Sequence, residues 1–369
     1  TPWRPSTSAN ESAIILAALE NSELTYEKKN ELNIGVALGF VDNRINVEFD
    51  WYRRNNFDLI GYTQTMGVGG VTTKLANDAT MESTGCEFTI STTNIKTKDF
   101  KWTTDWIFGW AENTITKLDS RSQVYSLVNG VGRTEGRPIG ALYSIPFAGL
   151  TEEGLPTFYI DAEHTQVVGP GNYADIYFQE YENIDYLKYE GTIDPKITGS
   201  FGNTFSWKGL KLNVFFTYSF GNVLRLDNLC PVYSSDYSDL TASMKEMKNR
   251  WMVPGDENVT TIPSIPTVRQ MREIDALNNA YSAYNYSTER VAKGDFIRLK
   301  ELSLAYDLPK KYFEGQNAVS SFGVKLSATN LWLAYADKKL NGRDPEYYNT
   351  GGVSSPVPRQ FTLTVKLGF

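Results

Sequence analysis

The side chains most able to do chemistry are carboxylates in the middle of the chain. They are Glu152, Glu153, Asp175, Glu180, Glu182 and Asp185. Two carboxyl groups held at a fixed separation across a glycosidic bond would make a glycoside hydrolase. Closeness in sequence does not set that separation, so solvated loop charge is the favoured interpretation. The single histidine, His164, could act as a base, but no nucleophile is indicated beside it and we expect a surface residue.

Phosphate and zinc chemistry have less support still. Gly67, Gly69 and Gly70 lack the Lys-Ser/Thr of a phosphate-binding loop, and no helical pattern follows them, so they predict a hairpin tip. The chain has one His and two Cys, Cys86 and Cys230, which nearly excludes a zinc cluster and excludes a disulfide framework. We therefore predict no cofactor.

Composition narrows the class of protein. The chain has 369 residues, 41% of them hydrophobic and 13% aromatic, with a net charge of −7. Frequent aromatics exclude collagen, coiled coil and disorder, and the acidic balance argues against a nucleic-acid partner. The first residues show neither an initiator Met nor an apolar signal core, so we expect a mature product or an internal fragment. The apolar run 13–19 is too short for a membrane helix, which needs about 20 residues.

Alternation of apolar and polar residues dominates the chain. At the end of the chain Phe361, Leu363, Val365, Leu367 and Phe369 share one face, while the residues between them share the other. This period of two is typical of a strand with one apolar and one polar surface. The same analysis predicts nine strands, at residues 26–40, 44–64, 81–94, 100–114, 195–207, 210–222, 295–307, 320–332 and 358–369.

The predicted connections alternate between short and long. The long ones are 65–80, 115–194, 223–293 and 333–357. Outer-membrane barrels have this arrangement, with short periplasmic turns and long extracellular loops. Nine is an odd number, whereas single-chain bacterial barrels have an even number of strands. We therefore interpret residues 1–369 as the C-terminal part of a larger transmembrane antiparallel β-barrel, an all-β fold.

Aromatic residues favour lipid contact for the apolar faces. Trp102, Trp106 and Trp110 share one face of a single predicted strand, and Trp51 and Trp207 end other apolar faces. Trp and Tyr collect at membrane interfaces. The apolar faces are therefore expected to meet lipid, Cys86 among them, and the polar faces to line an enclosed lumen.

Several segments carry a more specific signal, in order along the chain. They are Tyr26–Gly35 with Asn43-Arg44-Ile45, Asn77 with Gly85-Cys86-Glu87, Arg250–Asp256, Gly294–Lys300, Asn330-Leu331 with Asp344-Pro345-Glu346, and Pro358-Arg359 with the terminal Phe369. Together they resemble the motifs of the SusC/RagA family of TonB-dependent outer-membrane transporters. One departure is Tyr26, which stands where Trp is usual.

The resemblance implies more than the pattern does. It implies a barrel of about 22 strands with a plugged lumen, whose plug, TonB-contacting segment and early strands are not in this chain. It implies a SusD-like surface lipoprotein as a lid, TonB as the source of work, and the import of oligosaccharides or oligopeptides. The implied protein lies in the bacterial outer membrane and is not an enzyme.

One segment departs from what the resemblance implies. Many relatives carry a calcium-loop-like run of Asp, Asn and Gly near residues 172–185. Here the ligand spacing is wrong and the Gly of the sharp turn is missing. We therefore predict no metal in this segment.

Aromatic clusters in the long loops are the candidate contact sites. The candidates for contact with cargo or lipoprotein are Tyr173, Tyr177, Phe178, Tyr181, Tyr281, Tyr284 and Tyr286. Tyr offers a large contact area and a hydroxyl at low entropic cost, yet aromatic packing within the loops explains the clusters equally well. Phe369 is different, because a terminal aromatic resembles the signal that barrel-assembly machinery reads.

Two other classes of protein remain as alternatives. The first is a secreted β-rich protein that binds glycans or mediates adhesion, which would be soluble without detergent. The second is a β-rich glycoside hydrolase, which would lose turnover on mutation of one loop carboxylate.

Overall fold

The computed structural model describes residues 2–3, 13–14, 21–67, 70–229, 245–309, 312, 319–348 and 356–369. Nine long strands form one sheet, and each strand pairs antiparallel with its neighbours in chain order. They are β1 (Lys28–Phe40), β2 (Ile45–Gln64), β3 (Thr73–Lys96), β4 (Phe100–Leu118), β5 (Ile197–Trp207), β6 (Leu210–Phe220), β7 (Phe296–Asp307), β8 (Ser321–Ala336) and β9 (Gln360–Gly368). The nine predicted strands are confirmed.

Strand ends differ from the prediction at the end of the sheet that carries the long connections. Strand β3 begins at Thr73 rather than at residue 81, because residues 73–79 pair with 59–64 of β2. The connection between β2 and β3 is therefore residues 65–72, and the prediction of a long loop at 65–80 is wrong. The extension lacks regular alternation, since it holds Asn77 and Asp78 side by side, and so the period of two did not reveal it.

The two ends of the sheet differ as predicted. One end has tight turns: Val41, Asp42 and Asn43 have φ of 56°, 52° and 60°, and Lys208 precedes Gly209, whose φ is 88°. A positive φ suits the two-residue hairpin at 208–209, whose backbone twist matches that of the strands. The other end carries the long connections 119–196, 221–295 and 337–359.

The register of the strands builds one continuous apolar face. Cys86 stands between Trp51 and Trp110 on this face. Leu363 is 67% exposed and Leu367 is 54% exposed, although both are large and apolar. The opposite face carries polar residues in the same register, such as Asp50 beside Glu87. The apolar side of the sheet is therefore not a protein core.

The hydrophobic core lies instead in the long connections. Two of the long connections form a packed unit that we call the loop assembly, which consists of residues 119–196, 221–229 and 245–295. Its buried centre includes Leu127, Phe158, Tyr173, Leu277 and Tyr284. Its helices are α1 (Val124–Val128), α2 (Val268–Glu273) and α3 (Leu277–Asn285).

Short strands and 3-10 helices complete the connections. The strands are Pro2–Trp3, Ala13–Ile14, Ala141–Ser144, Phe147–Leu150, Pro156–Tyr159, Val167–Val168, Lys188–Thr192, Val223–Arg225 and Val291–Lys293. The 3-10 helices are Tyr173–Asp175, Lys245–Asn249, Asp256–Asn258, Thr288–Arg290, Lys338–Leu340 and Pro345–Tyr347. In the described part of the chain, every helix is too short or too polar to cross a membrane.

Candidate functional site

A partly buried arginine joins two of the connections in the loop assembly. Arg225 donates from Nη1 to the Ser144 hydroxyl at 3.1 Å and to the Ser287 carbonyl at 2.9 Å. From Nη2 it donates to the carbonyls of Tyr143 at 2.5 Å and Val128 at 3.2 Å. Burial lowers the pKa of Arg225 to about 10, so the side chain stays charged at neutral pH. A charge with this many carbonyl partners fixes the position of one loop on the other.

The segment Arg250–Asp256 ties the same two loops at the surface. The Trp251 ring lies against Gly154, where an added Cβ would be 2.4 Å from the ring. The Trp251 indole donates to Glu257 Oε2 at 3.0 Å. Asp256 accepts the backbone N–H groups of Met252 and Val253. This motif therefore anchors a loop.

Three of the seven candidate aromatic residues lie inside the loop core. Tyr173 is fully buried and its hydroxyl donates to the Pro156 carbonyl at 2.8 Å. Tyr281 donates to the Ser264 carbonyl at 2.7 Å. Burial also raises the pKa of Tyr173. With Tyr284, which is equally buried, these rings pack the assembly and present no surface to a ligand.

The other four candidates lie nearer to solvent. Tyr177 is 56% exposed. Phe178 meets Tyr286 edge to face, with ring centroids 6.0 Å apart. Tyr181 receives a short hydrogen bond from the Gln123 amide. A partner approaching the loop assembly would therefore reach Tyr177 first, and Tyr181 lines a surface groove of about 510 Å³.

The loop carboxylates are largely solvated. Five of them, all except Glu180, are exposed. Glu180 accepts the backbone N–H groups of Glu182 and Tyr181, both at 2.8 Å, and these bonds hold its pKa below the usual range. His164 is exposed and stacks on Tyr159 with ring centroids 4.9 Å apart. Across the residues described here, no cluster of three or more His, Cys, Asp or Glu could hold a metal.

A second polar centre lies where the 337–348 segment folds onto the polar face of the sheet. Arg298 is 5% exposed and pairs with Asp344 and, through Nε at 3.2 Å, with Glu346. Arg343 in turn pairs with Asp227. Two segments singled out in the sequence, Gly294–Lys300 and Asp344-Pro345-Glu346, thus interlock. The sequence analysis missed this contact, for which opposite charges in the two motifs were the available signal.

The side chains of this centre surround a recess on the polar face. Its volume is about 680 Å³. Arg298 pairs with Thr217 of β6, and Glu301 pairs with Phe215 two residues away, so the bulge between them keeps both on one face. Arg298 also pairs with Leu333 of β8, which places the recess on the polar side. Asn330, Tyr347 and Arg359 line it as well. The recess therefore opens toward the side that the sequence predicts to be a lumen.

Phe369 follows β9 at the end of the sheet with the tight turns. It is 88% exposed and continues the apolar face of β9 after Leu367. The placement is compatible with the proposed recognition by assembly machinery, which stays a prediction. The structure ties Phe369 to no part of the loop assembly, which lies at the other end of the strands.

Comparisons with known proteins give the class of protein. No family model matches the chain. It is 27% identical over 385 residues to TonB-dependent receptor P3 of Formosa agariphila, covering 96% of this chain and 35% of that receptor. A second relative is TonB-dependent receptor SusC of Bacteroides thetaiotaomicron, which is 34% identical over 99 residues. That match covers 27% of this chain and 10% of SusC. The chain thus spans about a third of the length of receptor P3.

Solved structures agree on the fold. The RagAB peptide transporter matches all of this chain and 38% of its own, with a TM-score of 0.71 and 24% identity. The RagAB peptide importer in its closed-closed state matches all of this chain and 38% of its own, with a TM-score of 0.72 and 26% identity.

The exposed apolar face, the meander of nine strands and these matches define a segment of the wall of an outer-membrane β-barrel. The chain is related to the TonB-dependent receptors of the SusC and RagA kind. These relatives by sequence are TonB-dependent receptors, and the structural neighbour of 26% identity is a peptide importer.

Proposed function

We propose that the chain is the C-terminal part of the barrel of a TonB-dependent transporter, with the plug and the early strands elsewhere in the protein. Support comes from the edges of the sheet. Strands β1 and β9 each pair on one side only within the described residues. An edge strand exposes unpaired N–H and C=O groups, which is unfavourable in a membrane unless another strand covers it. Further strands of the same barrel would pair with both edges.

The proposed activity is import of a nutrient across the outer membrane, driven by TonB and assisted by a SusD-like surface lipoprotein that covers the loop assembly. The observation that carries it is the division of the molecule into three surfaces. An apolar face of the sheet suits lipid, a polar face suits a lumen, and a packed loop assembly stands at one end only. A cargo-binding protein of this kind needs its loops held above a pore, and the partly buried Arg225 contributes to this by bonding to carbonyls of two connections.

The cargo is proposed to be an oligosaccharide or an oligopeptide. The similar RagAB protein is a peptide transporter, and this analogy favours peptides. Tyr hydroxyls and rings serve either cargo, since they supply both stacking and hydrogen bonding. Among the candidate residues, exposed Tyr177 and groove-lining Tyr181 are proposed to touch cargo or lipoprotein, with Phe178 and Tyr286 holding them in place.

Deletion of the gene for the complete receptor tests the import proposal. The deletion strain should lose growth on one cargo class, and the intact gene should restore it. Oligosaccharide mixtures and peptide digests should be supplied separately as sole nutrients. Normal growth on both would contradict import. A receptor that fractionates as a soluble, monodisperse protein without detergent would favour the alternative, a secreted glycan-binding or adhesion protein.

The assembly role of Phe369 has its own test. Deletion of Phe369 in the complete receptor should lower its amount in the outer membrane, while Phe369→Tyr should preserve it. Cell-surface labelling measures the amount. Equal abundance of the deletion and the wild type would count against a role in insertion.

A further inference from the structure

Segments far apart in the sequence converge on the 680 Å³ recess of the polar face. Arg298 comes from β7, Asn330 from β8, Arg343 and Asp344 from the following connection, and Arg359 from the residue just before β9. Ligand pockets have volumes of about 300 to 1,000 Å³. The recess is therefore large enough for one end of an oligomeric cargo.

The charges around the recess leave one guanidinium over. Asp344 and Glu346 both engage Arg298, and Asp227 engages Arg343. Arg359 forms no ion pair with any residue that the structure describes. Its five donor N–H groups form a planar fork that matches a carboxylate. Arg359 is exposed and the acidic side chains nearby are already paired, so its guanidinium is available to an anion from outside the chain.

A second group in the same recess also lacks a counterpart. The Oδ1 atom of Asn330 is buried and has no hydrogen-bond partner among the described residues. A buried acceptor without a donor costs free energy, so such an atom in a native protein points to a bound molecule or water. The recess is thus lined by an unpaired cationic fork and by a residue whose buried acceptor has no donor among the described residues.

We propose that this recess binds the carboxylate-bearing end of the cargo, with the carboxylate on Arg359 and a neighbouring donor on Asn330 Oδ1. The inference rests on the proposed import function. Two sources fit the chemistry. The C-terminus of a peptide carries a carboxylate next to an amide N–H, and a uronic acid carries one next to a hydroxyl. Both place an anion and a donor a few bonds apart.

The test uses the complete receptor with its lipoprotein, purified in detergent. The probes are tetra-alanine and its C-terminal amide, and tri-galacturonate and its methyl ester, with binding measured by calorimetry. In the wild type the free acid of one pair should bind at least about tenfold more tightly than its neutral form, because a bidentate charged contact is lost in the latter. The pair that shows the preference identifies the source of the carboxylate.

Two variants isolate the recess. Arg359→Gln should abolish the preference for the acid, while Lys366→Gln should retain it, because Lys366 lies on the polar face of β9 and lines a different recess. Asn330→Asp keeps a residue that tolerates φ of 52° and should weaken the acids through like charge while leaving the neutral forms unchanged. Asn330→Asp also tests the recess if the Arg359→Gln receptor fails to assemble.

Several results would overturn the inference. They are equal binding of acid and neutral forms, no binding of any of the four probes, and a preference that survives in both Arg359→Gln and Asn330→Asp. None of these contradicts import itself. If the deletion strain grows poorly and the Arg359→Gln receptor restores growth fully, the import proposal is supported and the carboxylate-site proposal is contradicted. If the deletion strain grows normally, the import proposal is contradicted.

Discussion

Removal of one buried hydroxyl, by Tyr281→Phe, should loosen the loop assembly. Tyr281 is 2% exposed and donates to the Ser264 carbonyl at 2.7 Å. The substitution keeps the ring but deletes the donor, and Ser264 is itself buried. An orphaned buried acceptor costs about 1 to 3 kcal/mol, and the net value of the bond is about 1 kcal/mol. We therefore expect local stability to fall by about 1 to 2 kcal/mol.

Hydrogen exchange of the complete receptor measures this loss. A change of about 1.4 kcal/mol raises the population of the open state about tenfold. Exchange of the backbone amides of α3, Leu277–Asn285, should accelerate accordingly. The matched control is Tyr177→Phe, which deletes the hydroxyl of an exposed ring and should change local stability by less than about 0.5 kcal/mol.

One result would refute the reasoning. If Tyr281→Phe left exchange in α3 unchanged but weakened cargo or lipoprotein binding as much as Tyr177→Ala does, Tyr281 would be a contact residue. The buried position of its ring would then not apply to the receptor while it binds cargo or lipoprotein.

Three further predictions concern other parts of the molecule. Gly154→Ala places a Cβ at a φ of 75° and against the Trp251 ring. The left-handed backbone strain alone costs about 1 to 2 kcal/mol. Limited proteolysis of the loop assembly should therefore be faster in this variant. Trp251 donates to Glu257 and holds the pKa of that carboxyl below its usual range, so the contact stabilises the fold above the unfolded pKa. That stability is lost as the pH falls through the depressed pKa of Glu257, and the fluorescence of Trp251 should change in that acid range. Leu363→Lys should impair folding into lipid vesicles by about 2 to 4 kcal/mol, while Thr364→Lys should not.

Controls separate each effect from a general loss of folding. Gly136→Ala has the same φ of 75° but open space around the new Cβ, so it isolates the backbone strain from the clash with the ring. Glu257→Gln should remove the acid transition. Equal proteolysis of both glycine variants, an unchanged transition in Glu257→Gln, or equal folding of the two lysine variants would each contradict the corresponding argument.

The nine strands could be predicted from the sequence because alternation is a local rule. Successive side chains of a strand point to opposite faces, so Leu363 and Thr364 were assigned to different surfaces from their neighbours alone. The tight turn at residues 41–43 followed for the same reason. Where the chain leaves the membrane, both faces can be polar. The start of β3 at Thr73 was therefore missed, since no alternation marks it.

Tertiary structure decided what the loops do. Tyr173 and Tyr177 are four residues apart in one Tyr-rich segment, yet one is fully buried and the other half exposed, because burial depends on which distant segment packs on each ring. The pairing of Arg298 with Asp344 joins residues 46 positions apart, and Arg225 binds carbonyls from separate connections. Such contacts arise from the closure of long loops, which no local pattern encodes. The sequence determined the wall of the barrel, and only the folded chain determined which side chains remain open to a partner.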